Sequence, residues 1–126
     1  MIQLDTSALI DALTGPKRSA TLLRRAIEDG ARITVSTIVL YEWLRGPRIR
    51  EELAAQEALL PREAAVPFGG EEAALAAELY RVVKRPRGRE IDLAVASCAI
   101  VHGARLWTLN GRDFADIPDL ELHRPR

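Results

Sequence analysis

Residues 1–10 read Met1-Ile2-Gln3-Leu4-Asp5-Thr6-Ser7-Ala8-Leu9-Ile10, and this stretch decides the fold class. Apolar and polar residues alternate over its first four positions, which is typical of a short β-strand. The strand ends on the carboxylate of Asp5, and two hydroxyl residues suited to capping a helix follow before an apolar run. Open α/β folds build their sites at the carboxyl edge of the sheet, so we expect Asp5 to belong to a functional site.

The composition is that of an ordinary globular protein of 126 residues. Hydrophobic residues make up 48% and charged residues 29%, and the length predicts one domain, residues 1–126, with a genuine core. The 18 basic and 18 acidic residues give a formal net charge of zero. Any binding of nucleic acid must therefore come from local patches rather than from a global field.

The single cysteine, Cys98, leaves no partner for an intrachain disulfide and lies in an apolar helical run. A buried structural thiol is the expected state of such a residue. No apolar run approaches the length of a membrane-spanning helix, and no signal-peptide pattern precedes the first strand. We therefore expect a cytoplasmic protein without a membrane partner.

Predicted helices and strands alternate along the rest of the chain. Helical patterns cover residues 8–13, 19–29, 36–44, 48–60, 70–84 and 90–102, and strand patterns cover 32–36, 105–108 and 120–122. Short strands separated by helices imply right-handed crossovers and a sheet covered on both faces. The predicted fold is an α/β three-layer sandwich with a central, mainly parallel sheet.

Three further acids lie where this fold would bring them towards Asp5. Glu42 is on the helix after the second strand, Asp92 in the first turn of an apolar helix, and Asp113 in the loop after Thr108. Asp92 can also be read as a helix-dipole partner, and Asp113 as an ordinary loop acid. Several acids at one edge would repel one another, however, and a bound cation would relieve that repulsion.

The candidate ligands are all oxygen donors. The chain has no cysteine pair, and His102 and His123 show no ligand spacing. Zinc is therefore disfavoured, and Mg²⁺ or Mn²⁺ is preferred. Such ions, held by carboxylates, can activate a water molecule and stabilise a leaving oxyanion in phosphodiester hydrolysis.

Two clusters of basic residues lie near these acids in the sequence. One comes after Glu42 and the other comes before Asp92. Their members are Arg45, Arg48 and Arg50, and then Arg81, Lys84, Arg85, Arg87 and Arg89. Solvated surface is one interpretation of these residues. The alternative is that they hold the phosphates of a nucleic acid, which the acidic site itself repels.

Two other families with acids at strand ends fit poorly. A receiver domain needs an acidic pair after its first strand and a lysine after its last, whereas Thr6 follows Asp5 and Thr108 stands at the lysine position. A haloacid-dehalogenase-type phosphatase needs a second acid two residues after the first, and that position is Ser7.

Four stretches together resemble the PIN-domain ribonucleases and, within them, the VapC-type toxins of toxin–antitoxin pairs. They are Ile2-Gln3-Leu4-Asp5-Thr6-Ser7-Ala8-Leu9-Ile10, Ser36-Thr37-Ile38-Val39-Leu40-Tyr41-Glu42, Ile91-Asp92-Leu93-Ala94-Val95-Ala96 and Trp107-Thr108-Leu109-Asn110-Gly111-Arg112-Asp113-Phe114. They occur in the expected order and span essentially the whole chain. The resemblance implies a Mg²⁺-dependent endoribonuclease with an RNA substrate, a homodimer, and a small VapB-like antitoxin that blocks the site.

The resemblance also implies roles for residues at the site. Asp5, Glu42 and Asp92 match the three central acids, with Asp5 and Asp92 as the expected metal ligands. Thr6 or Ser7 matches the hydroxyl that supports the first acid. The expected catalytic residues are therefore Asp5, Glu42, Asp92 and Asp113, and the expected supporting residues are Thr6, Ser7, Thr108 and Asn110.

The fourth position lies after the last helix–strand unit. Many relatives carry an acid two residues after the threonine matched by Thr108, and Asn110 stands there with Asp113 nearby. The sequence does not choose between Asn110 and Asp113, nor between one metal ion and two.

A non-enzymatic alternative stays open at this point. A PIN-like subunit could bind a partner and act in repression through its antitoxin complex without significant catalysis. The zero net charge fits this alternative, because an antitoxin could contribute the basic surface. Apolar positions around Leu40, Trp43 and Leu44 could supply the interface of a homodimer.

Overall fold

A small parallel sheet lies at the centre of the computed structural model, which describes residues 1–125. Its strands within that range are β1 (Ile2–Leu4), β2 (Ile33–Thr34) and β3 (Arg105–Trp107). The central strand β1 pairs in parallel with both neighbours, so that Gln3 lies opposite Thr34 on one side and Leu106 on the other. The carboxyl ends of all three strands therefore meet at one edge, with the end of β1 in the middle.

Helices flank this sheet. Those within residues 1–125 are α1 (Thr6–Leu13), α2 (Ala20–Glu28), α3 (Thr37–Arg45), α4 (Arg50–Leu59), α5 (Gly70–Val82) and α6 (Glu90–Val101). Single 3₁₀ turns occur at Arg62–Ala64 and Gly111–Asp113. The predicted fold class, a parallel sheet between helices, is confirmed. None of the helices described is long and apolar enough to cross a membrane.

The helix α6 forms the middle of the core. Its residues 93–99 are all buried, which is the pattern of a helix enclosed by packing on every side. It packs against α5, α3 and β3. Burial raises the pKa of the Cys98 thiol to about 12, and the predicted buried thiol is confirmed. Because the body of α6 is enclosed, its first turn, which carries Asp92, is fixed relative to the sheet.

The start of α1 departs from the usual capping pattern. The helix begins at Thr6, two residues before the predicted start, and Asp5 occupies the N-cap position without making a side-chain capping bond. By contrast, Ser36 caps α3, since its Oγ accepts a hydrogen bond from the backbone N–H of Val39 at 3.2 Å. An N-cap carboxylate ordinarily bonds the free N–H groups of the first turn. The side chain of Asp5 is therefore engaged elsewhere.

Several predicted elements are shorter in the structure, among them the second strand, which was predicted at 32–36 and covers Ile33–Thr34. The helix α4, predicted at 48–60, covers Arg50–Leu59, and the guanidinium of Arg48, which precedes it, stacks on the Trp43 ring, 4.3 Å from the ring centroid. The prediction of a strand at 120–122 was wrong in extent, since only Leu122 forms a bridge, parallel to Leu106. Asp119 has a positive φ of 66°, so the chain turns directly before this single bridge.

The exposed face of α3 differs from the predicted interface. Trp43 is fully buried and Leu40 is 9% exposed, so the prediction that these two residues supply an interface was wrong. Leu40 and Trp43 are buried because, together with Val39, they form the face of α3 that packs on the core. Tyr41 and Leu44 are the large apolar residues of α3 that remain exposed, at 58% and 39%.

The burial of Trp43 gives a testable prediction for stability. Trp43→Ala should lower the free energy of unfolding by about 3–5 kcal/mol, because it leaves a cavity under α3. The exposed Tyr41→Ala is the matched control and should change it by less than about 0.5 kcal/mol. Urea unfolding followed by circular dichroism measures both variants, and equal losses would contradict the core position of Trp43.

Candidate active site

Asp5 lies in the middle of the carboxyl edge, directly after β1. Its backbone N–H donates to the carbonyl of Trp107 at 2.8 Å, which continues the pairing with β3. Its Oδ2 accepts hydrogen bonds from the hydroxyls of Thr108 at 2.7 Å and Ser7 at 3.2 Å. The residue is 6% exposed. The carboxylate is therefore held in place by a hydroxyl of the following helix, Ser7, and by the hydroxyl of Thr108, directly after the neighbouring strand.

The two hydroxyls are themselves fixed by the backbone of the loop after β3. The N–H of Leu109 donates to Ser7 Oγ at 3.0 Å, and the N–H of Asn110 donates to Thr108 Oγ1 at 3.0 Å. The hydroxyl oxygens of Ser7 and Thr108 are 3.2 Å apart. Asn110 is an exposed residue whose backbone N–H makes this contact. The loop, α1 and Asp5 thus form one hydrogen-bonded network.

Glu42 is supported by Thr6. The Thr6 hydroxyl donates to Glu42 Oε1 at 2.7 Å, and Arg45 donates to Oε2 at 3.4 Å. The Glu42 side chain is 19% exposed. The sequence left Thr6 and Ser7 as alternative supports of Asp5, and the structure gives each hydroxyl its own acid. This division depends on the approach of α3 to α1, which no local pattern specifies.

The acids at this edge are close enough to affect one another's ionisation. The pKa of Asp92 is raised to about 6, first because burial removes water from the carboxylate, and then because Asp5, Asp113 and Glu42 repel its charge. Nearby Arg89 partly opposes the rise. The pKa of Asp5 is also raised, mainly by burial and in spite of its hydrogen bonds. Four segments distant in sequence therefore place their acids in one electrostatic cluster.

The side chains of this cluster are carboxylates, the type of ligand that a hard divalent cation prefers. Within residues 1–125, no three His, Cys, Asp or Glu side chains are grouped so that they could hold a metal ion together. Mg²⁺ commonly takes one or two protein carboxylates and completes its shell with water and substrate phosphate. The raised pKa values of Asp5 and Asp92 mean that a positive charge between the two would be stabilising.

Of the eight basic residues considered for phosphate binding, six fall into two groups. Three arginines are engaged with the protein itself: Arg45 with Glu42, Arg48 with the Trp43 ring, and Arg89 with Asp116. Lys84, Arg85 and Arg87 are exposed in the loop between α5 and α6 and form no ion pair with a described residue. Sequence analysis missed Asp116, because no pattern marks an ion pair between residues 27 positions apart.

Comparison with known proteins gives the family. The family model of the PIN domain matches residues 2–120. The chain belongs to the PIN domain family. Ribonuclease VapC19 of Mycobacterium tuberculosis is 36% identical over 125 residues, which cover 94% of this PIN-domain chain and 95% of that protein. The chain is therefore a PIN-domain protein of the VapC type.

Solved structures share the fold of this PIN-domain chain over nearly its whole length. VapBC2 from Rickettsia felis, bound to a DNA fragment from its promoter, has a TM-score of 0.76 and 25% identity, covering 98% of both chains. DNA-bound VapBC from Salmonella typhimurium has a TM-score of 0.73 and 25% identity, covering 97% of this chain and 96% of that one. FitAcB from Neisseria gonorrhoeae, at 20% identity and a TM-score of 0.72, covers 99% of this chain and 98% of its own.

The raised pKa of Asp92 predicts how stability depends on pH without a divalent cation. The pKa rises from 3.8 to about 6 on folding, so the folded protein binds this proton more tightly than the unfolded chain does. The free energy of unfolding should therefore fall as the pH rises between these two values. Asp92→Asn should weaken this dependence and stabilise the cation-free protein at neutral pH.

Chemical denaturation in EDTA, at mildly acidic and at neutral pH, measures this effect. The exposed Asp119 offers a matched control, because Asp119→Asn makes the same change and asparagine tolerates its positive φ. Added Mn²⁺ should stabilise the wild type more than Asp92→Asn. An Asp92→Asn protein that is less stable than the wild type in EDTA at neutral pH would contradict the electrostatic account.

Proposed function

We propose that this chain is a Mg²⁺- or Mn²⁺-dependent endoribonuclease toxin of a type II toxin–antitoxin pair, which hydrolyses RNA phosphodiester bonds. The observation that carries the proposal is the position of Asp5 directly after the central strand, held by Thr108 and Ser7, with the charges of Glu42, Asp92 and Asp113 in the same cluster. Half-buried carboxylates that repel one another at neutral pH are a costly arrangement unless a cation joins them. The name of the Mycobacterium tuberculosis relative, a ribonuclease, supports the same reaction.

Asp5 and Asp92 would hold the ion, because Asp5 lies directly after the central strand and Asp92 in the first turn of the enclosed helix α6, near enough for their charges to interact. When bound, the ion would lower the pKa of a water molecule and neutralise charge on the leaving oxygen. Thr108 and Ser7 both donate to Oδ2 of Asp5 and so orient its carboxylate. Such partners hold a metal ligand in its binding geometry before the ion arrives.

Glu42 would accept the proton of the attacking water. Its Oε1 is occupied by the Thr6 hydroxyl at 2.7 Å, whereas Arg45 approaches Oε2 only to 3.4 Å. The more weakly held oxygen, Oε2, is the one that can take a proton. The short bond from Thr6 keeps the carboxylate at the carboxyl edge during this transfer.

Asp113 would fill the fourth position of the site in preference to Asn110. Asp113 raises the pKa of Asp92 through its charge, so it lies within electrostatic range of the cluster. Asn110 contributes its backbone N–H to Thr108 and its carbonyl to the N–H of Asp113. These backbone bonds give Asn110 the role of shaping the loop that presents Asp113.

The exposed cations Lys84, Arg85 and Arg87 would bind phosphates of the RNA. Their loop leads directly into the first turn of α6, which carries Asp92, so positive charge lies beside the acids. Phosphate contacts of this kind hold the backbone in register without reading the bases. They would offset the repulsion between the acidic cluster and the substrate.

We also propose a VapB-like antitoxin as partner, a homodimer as the assembled state and the cytoplasm as the compartment. The similar solved structures from Rickettsia felis and Salmonella typhimurium are VapBC complexes, which supports an antitoxin partner. Tyr41 and Leu44 are exposed on α3 and available for a protein contact. The whole chain, 1–126, would act as one domain, although residue 126 lies outside the described residues.

Cleavage of RNA by the purified protein tests the reaction. The protein should cut single-stranded RNA with Mg²⁺ or Mn²⁺ and stop on addition of EDTA. Asp5→Asn should lower the rate by more than about 100-fold, because loss of a ligand costs at least as much as loss of its supporting partners. Asp119→Asn is the control with the same change. Full cleavage by Asp5→Asn, or in EDTA, would contradict the proposal.

Growth of a bacterial host separates catalysis from binding. Expression of the wild type should arrest growth, and Asp92→Asn, expressed to the same soluble level, should not. The removal of one carboxylate leaves the outer surface almost unchanged, so a protein that acts only by binding would still arrest growth. That outcome would favour the alternative of a regulatory PIN-like subunit without catalysis.

A further inference from the structure

Arg89, the residue directly before α6, joins three segments of the chain at one corner of the acidic cluster. Its Nη2 donates to the carbonyl of Asp113 at 2.9 Å and to Asp116 Oδ1 at 2.5 Å. Its Nη1 donates to Asp116 Oδ2 at 3.0 Å and to the carbonyl of Lys84 at 3.2 Å. One planar guanidinium therefore ties the loop after α5 and the loop after β3 to the start of α6.

The contact is more than a solvated surface ion pair. The Arg89 side chain is only 20% exposed, whereas that of Asp116 is 48% exposed. An exposed ion pair alone contributes little to stability. Here the guanidinium of Arg89 binds both carboxylate oxygens of Asp116 and also donates to two backbone carbonyls. A lysine offers a single point charge and cannot reproduce this set of directions. The geometry of the guanidinium, and not its charge alone, determines where the loop lies.

The hydrogen bonds of Arg89 reach a residue of the acidic cluster, which consists of Asp5, Glu42, Asp92 and Asp113. The carbonyl that Arg89 holds belongs to Asp113, whose carboxylate acts on Asp92. Phe114 and Ile117 bury their side chains in the core and anchor the same loop from its other side. Arg89 and these two apolar residues together leave the backbone around Asp113 little freedom to move away from α6.

We propose that Arg89 is a positioning residue, which sets the place of Asp113 relative to Asp92 by holding residues 113–116 against the start of α6. The inference rests on the proposed function, because it takes Asp113 as the fourth member of a cation-binding site. It also gives Arg89 a role inside the site in place of the phosphate contact predicted from the sequence.

Charge and positioning predict opposite results when Arg89 is replaced. If Arg89 only offsets negative charge, Arg89→Gln should tighten the binding of a divalent cation, because a nearby positive charge is lost. If Arg89 positions Asp113, the same change should weaken binding, because Asp113 is released from the cluster. The sign of the change in cation affinity therefore separates the two roles without any measurement of RNA cleavage.

Titration calorimetry with Mn²⁺ on the full chain is the experiment. Arg89→Gln and Asp116→Asn should each weaken Mn²⁺ binding by about tenfold, the usual effect of removing a supporting partner. In an Asp113→Asn background, Arg89→Gln should cause no further weakening. The control is Arg62→Gln, which removes the exposed Arg62–Glu57 pair and should leave Mn²⁺ affinity unchanged.

Several outcomes would overturn the inference. Tighter Mn²⁺ binding by Arg89→Gln would show a purely electrostatic role, and equal weakening in both backgrounds would show a merely structural one. Should Arg89→Gln fail to fold, the exposed Asp116→Asn decides the matter alone, and unchanged affinity in that variant contradicts positioning. If the wild type binds no Mn²⁺, both the proposed cation site and the inference about Arg89 are wrong.

RNA cleavage kinetics distinguish this inference from the proposed function. Arg89→Gln should lower kcat by about tenfold and leave KM unchanged, because Arg89 acts through Asp113 and not on the RNA. A raised KM with unchanged kcat would return Arg89 to phosphate binding and overturn positioning. A wild type that binds Mn²⁺ but cleaves no RNA would refute the proposed function alone, because the calorimetric test of Arg89 still applies.

Discussion

The parallel pairing of β1 with both of its neighbours is the constraint on which the rest of the structure depends. Parallel strands end at the same edge, so the residue after β1 meets the residue after β3, and Asp5 meets Thr108. The pairing extends beyond the strand through the bond from the Asp5 N–H to the Trp107 carbonyl. The short sheet, together with the enclosed helix α6, holds the first turns of the surrounding helices around one point.

The acidic cluster, formed by Asp5, Glu42, Asp92 and Asp113, is electrostatically destabilising for the fold. Burial and mutual repulsion raise the pKa of Asp92 and Asp5, and hydroxyl donors and Arg89 offset only part of that effect. The donors to Asp5 and the nearer donor to Glu42 are neutral hydroxyls, whereas Arg45 approaches Glu42 only to 3.4 Å. Neutral donors orient a carboxylate without cancelling its charge.

Local sequence rules do not describe the residues of this cluster. Their side chains bond to one another where a helix cap is expected. Asp5 stands at an N-cap position without capping α1, and Thr6 and Ser7, which pattern marks as capping groups, bond Glu42 and Asp5 instead. Ser36, outside the cluster, caps α3 in the ordinary way. Proteins commonly depart from local preferences at functional sites and compensate through packing elsewhere. The compensation here is the core built around α6.

The sequence by itself determined the alternation of strands and helices, the parallel sheet and the buried Cys98, because periodicity and helix-ending residues act over a few neighbouring positions. It also named the acids and hydroxyls at strand ends. Only the tertiary structure decided which hydroxyl supports which acid, that Trp43 is core, and that Arg89 holds the backbone of Asp113. Each of these depends on contacts between segments far apart in the chain, whose approach is fixed by packing and leaves no periodic trace in the sequence.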